Sequence, residues 1–177
     1  MDIRNQKEII EFNSTDGICP VGETVGKRNI KESKIPVLSC EGACIRGEIA
    51  RLAANIVSKE EKYGRGCHGE LITVPDSSIS RWIRSSEKVV LIDGCFLRCH
   101  GRIIENIIDK EKLIQFDALS HYNKYTDVFD YEDVPEEERK EVARSVAGWI
   151  IENLEHSSGG DRVSGESTVS RCAGCGG

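Results

Sequence analysis

Four apolar residues in a row, 89–92 (VVLI), run directly into Asp93-Gly94-Cys95. This run narrows the folds open to the chain. A strand with no polar side chain on either face must be covered on both, as inside a parallel sheet flanked by helices. The surrounding pattern agrees. Residues 35–38 (IPVL) form a short β-branched run ending at Ser39-Cys40, and Ile45, Ile49, Leu52 and Ile56 then recur at helical spacing. Residues 71–74 (LITV) are expected to form a second strand. Pro75-Asp76-Ser77-Ser78 reads as the start of a short helix bearing Ile79, Trp82 and Ile83. A helix with Ile103, Ile104, Ile107 and Ile108 follows the 95–99 loop, and residues 113–116 (LIQF) suit another strand. In the last helix Asp133 is placed to cap, with Glu136 three residues on, and Val142, Val146, Trp149, Ile150 and Leu154 share one face.

Strands alternating with helices predict a three-layer α/β sandwich with a mostly parallel sheet of about four strands, Rossmann-like or flavodoxin-like. The domain is expected over residues 34–156. Residues 1–33 read as an irregular arm rich in turn formers, and Cys19 within it receives no role. Residues 157–177 contain no Leu, Ile or Phe and are rich in Gly and Ser. Such a tail buries too little apolar surface to offset its ordering entropy, so it is expected to be flexible.

The net charge of −6, without a basic patch, argues against nucleic acid or an anionic membrane surface as partner. No apolar run is long enough to span a bilayer. The start, MDIRNQKEIIEF, has no apolar segment of the secretory kind. Eight cysteines in a chain read as cytoplasmic point to metal or redox chemistry rather than disulfides.

In open parallel sheets, ligand sites lie beyond the carboxyl ends of the strands. Cys40-Glu-Gly-Ala-Cys44 follows the first strand, and Cys95-Phe-Leu-Arg-Cys99 follows the apolar one. Both lead into helices, whose free N–H groups stabilise thiolate over thiol. Zinc takes four such ligands in a tetrahedron. The candidates are Cys40, Cys95 and Cys99, with Cys67 in the glycine-rich run Gly64-Arg-Gly-Cys-His-Gly69 favoured as the fourth and Cys44 as its alternate. His68 and His100 each follow a candidate cysteine; adjacent residues seldom reach one metal together, so each competes with its neighbour. Arg46, Arg65, Arg98 and Arg102 either are solvated or offset the charge of a thiolate centre.

The segment Val-Leu-Ile-Asp93-Gly94-Cys95-Phe-Leu-Arg-Cys99 resembles the signature of the DGC-domain family, named for that Asp-Gly-Cys and regarded as zinc-binding. Ser39-Cys40-Glu-Gly-Ala with Gly47-Glu48-Ile49-Ala50 resembles its first motif. The likeness covers roughly residues 35–125. It implies four chelating cysteines, which fall on Cys40, Cys67, Cys95 and Cys99; Cys44 departs from the family pattern. It implies no biochemical role.

Three functions compete. The first is a protein that holds Zn2+ or another soft metal, with a metal- or metalloid-handling role for the pair Cys172 and Cys175 in the tail. The second is an enzyme of the cysteine phosphatase or arsenate reductase type, since Cys40-Glu-Gly-Ala-Cys-Ile-Arg46 fits Cys-x5-Arg with Cys40 as nucleophile and Arg46 holding the oxyanion. Against it, Gly47 stands where Ser or Thr normally follows the Arg, and the chain has no Asp-Pro acid loop. The third is dithiol redox between Cys172/Cys175 and Cys44 or Cys67. Metal binding ranks first, so a conventional enzyme is not expected, and no protein partner is indicated.

Overall fold

The computed structural model describes residue 9 and residues 11–158. Strands β1 (Ile35–Ser39), β2 (Tyr63–Arg65), β3 (Val89–Asp93) and β4 (Leu113–Asp117) form an all-parallel sheet in the order β2-β1-β3-β4. Helices α1 (Pro20–Lys31), α2 (Ile45–Val57), α3 (His68–Thr73), α4 (Ser78–Ser85), α5 (Cys99–Ile104), α6 (Ala118–Tyr122) and α7 (Glu136–Ser158) connect and cover it.

All five residues of β3 are buried, and they alternate between two cores. Val90 and Ile92 join Val37 beneath α2 and α7, where Ile45, Ile49, Val146 and Ile150 are fully buried. Val89 and Leu91 join Leu38 on the other face with Leu71, Trp82, Ile83 and Ile104. This is the three-layer α/β sandwich expected from the sequence. The period-2 alternation of a strand and the helical stripes of α2, α4 and α7 meet in it. No helix among the described residues is long and apolar enough to cross a membrane.

Three expectations are corrected. Residues 71–74 do not form a strand. Leu71 donates its N–H to Cys67 O in the first turn of α3, and the helix stops before Pro75, which disfavours helical backbone at the residue preceding it. The strand between β1 and β3 in sequence is β2, three residues on the sheet edge. It has no alternating apolar pattern because Gly64 leaves room for the Asn29 and Trp82 side chains, whose atoms would lie 2.7 and 3.0 Å from a Cβ there. The stretch expected to be an irregular arm carries α1. This helix has Pro20 at its first turn and Cys19 as N-cap, the Cys19 sulfur accepting the Gly22 N–H at 3.4 Å. Its buried positions are Gly22, Gly26 and Asn29, so no apolar stripe advertised it. A Cβ at Gly26 would stand 2.3 Å from the Ser78 carbonyl carbon, which shows how closely α1 lies on α4. The last helix begins at Glu136, and Asp133 belongs to a short 3-10 turn ahead of it. Residues 159–177, including Cys172 and Cys175, lie outside the described residues.

Glu23 fastens α1 to the start of α4, accepting the Ser78 N–H at 2.6 Å and the Ser78 hydroxyl at 2.8 Å. Those two bonds, with Lys27 nearby, lower its pKa from 4.5 to about 2. A carboxylate whose pKa is lowered on folding stabilises the fold above its unfolded value and ceases to as pH falls through the folded one. Thermal unfolding followed against pH should therefore show a loss of stability between about pH 4.5 and 2 that Glu23→Gln diminishes.

Candidate metal site at the carboxyl rim

The chain leaves β1 through α2 toward β2 and leaves β3 through α5 toward β4. Neighbouring strands whose connections diverge in this way leave a crevice beyond their carboxyl ends. Cys40 continues β1 into that crevice, its N–H donating to Ile92 O at 2.8 Å. The loops pack there backbone to backbone. A Cβ at Gly47 would stand 2.2 Å from Gly42 O, and one at Gly94 would stand 2.7 Å from Arg46 O. Gly94 is thus required by the close approach of the first turn of α2, and Gly47 by the loop after β1. The latter explains why no Ser or Thr follows Arg46.

The thiols differ by surroundings. Cys40 is half-buried and accepts the Gly42 N–H at 3.3 Å. Burial pushes its pKa up, against the N–H groups of Gly42 and Gly94, and the Asp93 charge adds to the burial effect. Cys44 is the N-cap residue of α2, though its sulfur makes no capping hydrogen bond of ordinary geometry. Burial again opposes ionisation, but the N–H groups of Gly47 and Arg46 and the Arg46 guanidinium outweigh it, and the net shift is downward. Cys67, N-cap of α3, and Cys95, directly after Gly94, are half-buried, while Cys99 is exposed at the start of α5.

Two further contacts join the cysteine loops. The His68 and His100 rings meet edge to face with centroids 5.0 Å apart, and Glu41 N–H donates to His100 Nδ1 at 3.4 Å. Burial, with His100 and Arg65 nearby, holds the His68 pKa down at about 3, so this imidazole is neutral. Arg65 spends its whole fork on the rim. It donates to Ser39 Oγ (2.6 Å), Glu41 Oε1 (2.7 Å), Val37 O (3.0 Å), Gly66 O (3.3 Å) and Asn55 Oδ1 (3.1 Å), tying the loop after β1 to the loop after β2. Sequence reasoning considered both histidines singly and missed that they meet; that each follows a rim cysteine was the available signal. His121 lies away from this cluster, stacked on Trp149 at 5.0 Å and within 3.0 Å of Ser145 Oγ.

Asp93 is 1% exposed and anchors α5, its Oδ1 accepting the Gly101 N–H at 3.1 Å. Burial raises its pKa, opposed by that N–H and by Arg98 and His100. Arg98 takes a left-handed backbone conformation (φ 50°) just before α5 and pairs with Glu105. Asp93 thereby sets the turn that displays Cys95 and Cys99.

The donor types, soft sulfur and neutral imidazole, suit zinc. Their arrangement does not close around one point: among the described residues, no three His, Cys, Asp or Glu side chains form a group that could hold a metal ion. Cys40, Cys67, Cys95 and Cys99 share one rim, but they are not gathered into a tetrahedron.

A parallel α/β sandwich with thiol-bearing loops at its switch point defines the class of this protein. A family model, the DGC domain, matches residues 36–146, and the chain belongs to the DGC-domain family. No curated protein and no solved structure matches it.

Two outcomes are expected from these contacts. Gly101→Ala would place a Cβ 2.6 Å from Asp93 Oδ2, and urea unfolding should show a loss of about 1–3 kcal/mol, the usual cost of overpacking. Alkylation of reduced, metal-free protein near neutral pH, resolved by peptide mass spectrometry, should modify Cys44 ahead of Cys40. The reverse order would contradict the electrostatic difference between the two thiols.

Proposed function

We propose that this protein binds zinc or another soft metal ion through thiolates of the carboxyl rim: Cys40, Cys67, Cys95 and Cys99, with Cys44 as the alternate fourth ligand. The observation that carries the reading is that the loops after three neighbouring parallel strands each present cysteine at the same end of the sheet. Arg65 and the His68–His100 contact bind those loops to one another. Since the thiols are not grouped as they stand, binding would have to draw the loops together. The exposed Cys99 at the head of the short helix α5 has the most freedom to move. Metal uptake requires deprotonated thiols; the surroundings of Cys44 favour that state, whereas burial at Cys40 opposes it, so a bound cation would have to supply the compensating charge there. A metal- or metalloid-handling role, with Cys172 and Cys175 as the exchanging pair, extends this reading. A reducing, cytoplasmic setting goes with it, because the thiols must stay free.

The Cys-x5-Arg reading has less support. Burial raises the pKa of the Cys40 thiol, whereas attack needs a thiolate, and the Arg46 guanidinium acts on Cys44.

Elemental analysis of protein purified without oxygen should find about one zinc-like ion per chain. Cys95→Ser or Cys99→Ser should lose it, and Cys67→Ser should weaken binding more than Cys44→Ser. Full occupancy in both the Cys95 and Cys99 variants would end the proposal. The opposite order at Cys67 and Cys44 would move the fourth ligand to Cys44.

A further inference from the structure

A cleft of about 470 Å3 lies between α1 and the edge strand β2 and reaches the rim at Arg65 and Cys67, a volume within the range of small-ligand sites. Two polar groups along it lack partners. Asn29 of α1 is 1% exposed, yet neither Nδ2 nor Oδ1 makes a hydrogen bond with any described residue. Glu70 of α3 keeps Oε2 buried and unpartnered in the same sense. Native proteins seldom leave buried polar groups unsatisfied, and these two lie along one cleft, where a bound molecule would supply the partner.

Glycines make room for both groups. A Cβ at Gly64 would stand 2.7 Å from Asn29 Nδ2, and one at Gly22 would stand 2.0 Å from Glu70 Oε1. Gly22 and Asn29 are two turns apart on one face of α1, so the carboxylate at Gly22 and the Asn29 amide are separated by about 10 Å along the helix. Val25 and Ile79 line the cleft as its apolar part, and Arg28 and Lys34 supply positive charge beside Asn29. The Glu70 carboxylate thus lies toward the Gly22 end of α1 and Arg28 and Lys34 toward the Asn29 end, while Arg65, also on the lining, has its guanidinium committed to Ser39 and Glu41.

We propose that this cleft binds a short free peptide of about three residues in extended conformation. Three extended residues span about 10 Å, which matches the separation of the two unpartnered groups. The peptide amino terminus lies on Glu70, its terminal carboxylate faces Arg28 and Lys34, and one of its backbone amides pairs with Asn29. An asparagine side chain offers one donor group and one acceptor, the complement of a peptide group. The edge strand beside it belongs to the kind of surface along which extended chains bind. The proposal rests on Glu70 and Asn29 and not on a metal at Cys67, which lines the same cleft, so the test is run on metal-free protein.

The test uses the full chain and the tripeptide Ala-Val-Ala in free, N-acetylated and C-amidated forms, with affinity read by titration calorimetry in every variant and contact read by the Asn29 side-chain amide resonances where Asn29 is present. The free peptide should shift them saturably, and each blocked form should bind at least about ten-fold more weakly. Glu70→Gln should erase the discrimination against the acetylated form without moving the thermal midpoint, and Asn29→Ala should abolish binding. Absence of a saturable shift with any form, equal affinity for free and blocked peptides, or binding unchanged in the variants would overturn the proposal. Should Asn29→Ala fail to fold, Glu70→Gln decides alone, because Glu70 Oε2 has no partner within the fold to lose.

Discussion

Strand β3 is paired along both edges, to β1 and to β4, and buried on both faces through all five of its residues. Parallel pairing has a consequence that antiparallel pairing lacks: every strand ends at the same edge of the sheet. Each connection must then return along a face, which places α2 and α7 on one side and α3, α4 and α5 on the other. The cysteines of the loops after β1, β2 and β3 are neighbours for this reason, although up to 59 residues separate Cys40 from Cys99.

At that rim, protein dipoles and charges govern the chemistry more than residue type does. Cys40 and Cys44 lie within one short loop, yet their thiols shift in opposite directions. One is buried beside the Asp93 carboxylate, while the other faces the head of α2 and a guanidinium. Arg65 and Asp93 work differently again. Each is committed to backbone or side-chain partners that hold a loop in place, Arg65 between β1 and β2 and Asp93 between β3 and α5. The Asp-Gly-Cys triplet reads accordingly as three separate requirements: an anchor for α5, a position with no room for a side chain, and a half-buried cysteine directly after them at the carboxyl rim.

The sequence was most legible where burial imposes a period. The run at 89–92, the stripes of α2 and α7, and Ile79, Trp82 and Ile83 of α4 all came through, since each element's apolar residues recur at the spacing of its backbone. Where close backbone approach rather than apolar area makes the contact, the pattern fails. Helix α1 seats Gly22, Gly26 and Asn29 against its neighbours, so it read as irregular. The edge strand β2, only three residues with a central glycine, was passed over for the more apolar 71–74.

Residue type and order alone determined the family, the parallel α/β class and the set of thiols, because hydrophobic periodicity and the Asp-Gly-Cys and Cys40 motifs are properties of the chain itself. Only the tertiary structure decided which groups meet. The His68–His100 contact, the five bonds of Arg65, the unlike thiols of Cys40 and Cys44, and the unpartnered amide of Asn29 all arise between segments far apart in sequence or from the burial that folding creates. Distances of that kind are set by the packing of whole layers, and no local spacing encodes them.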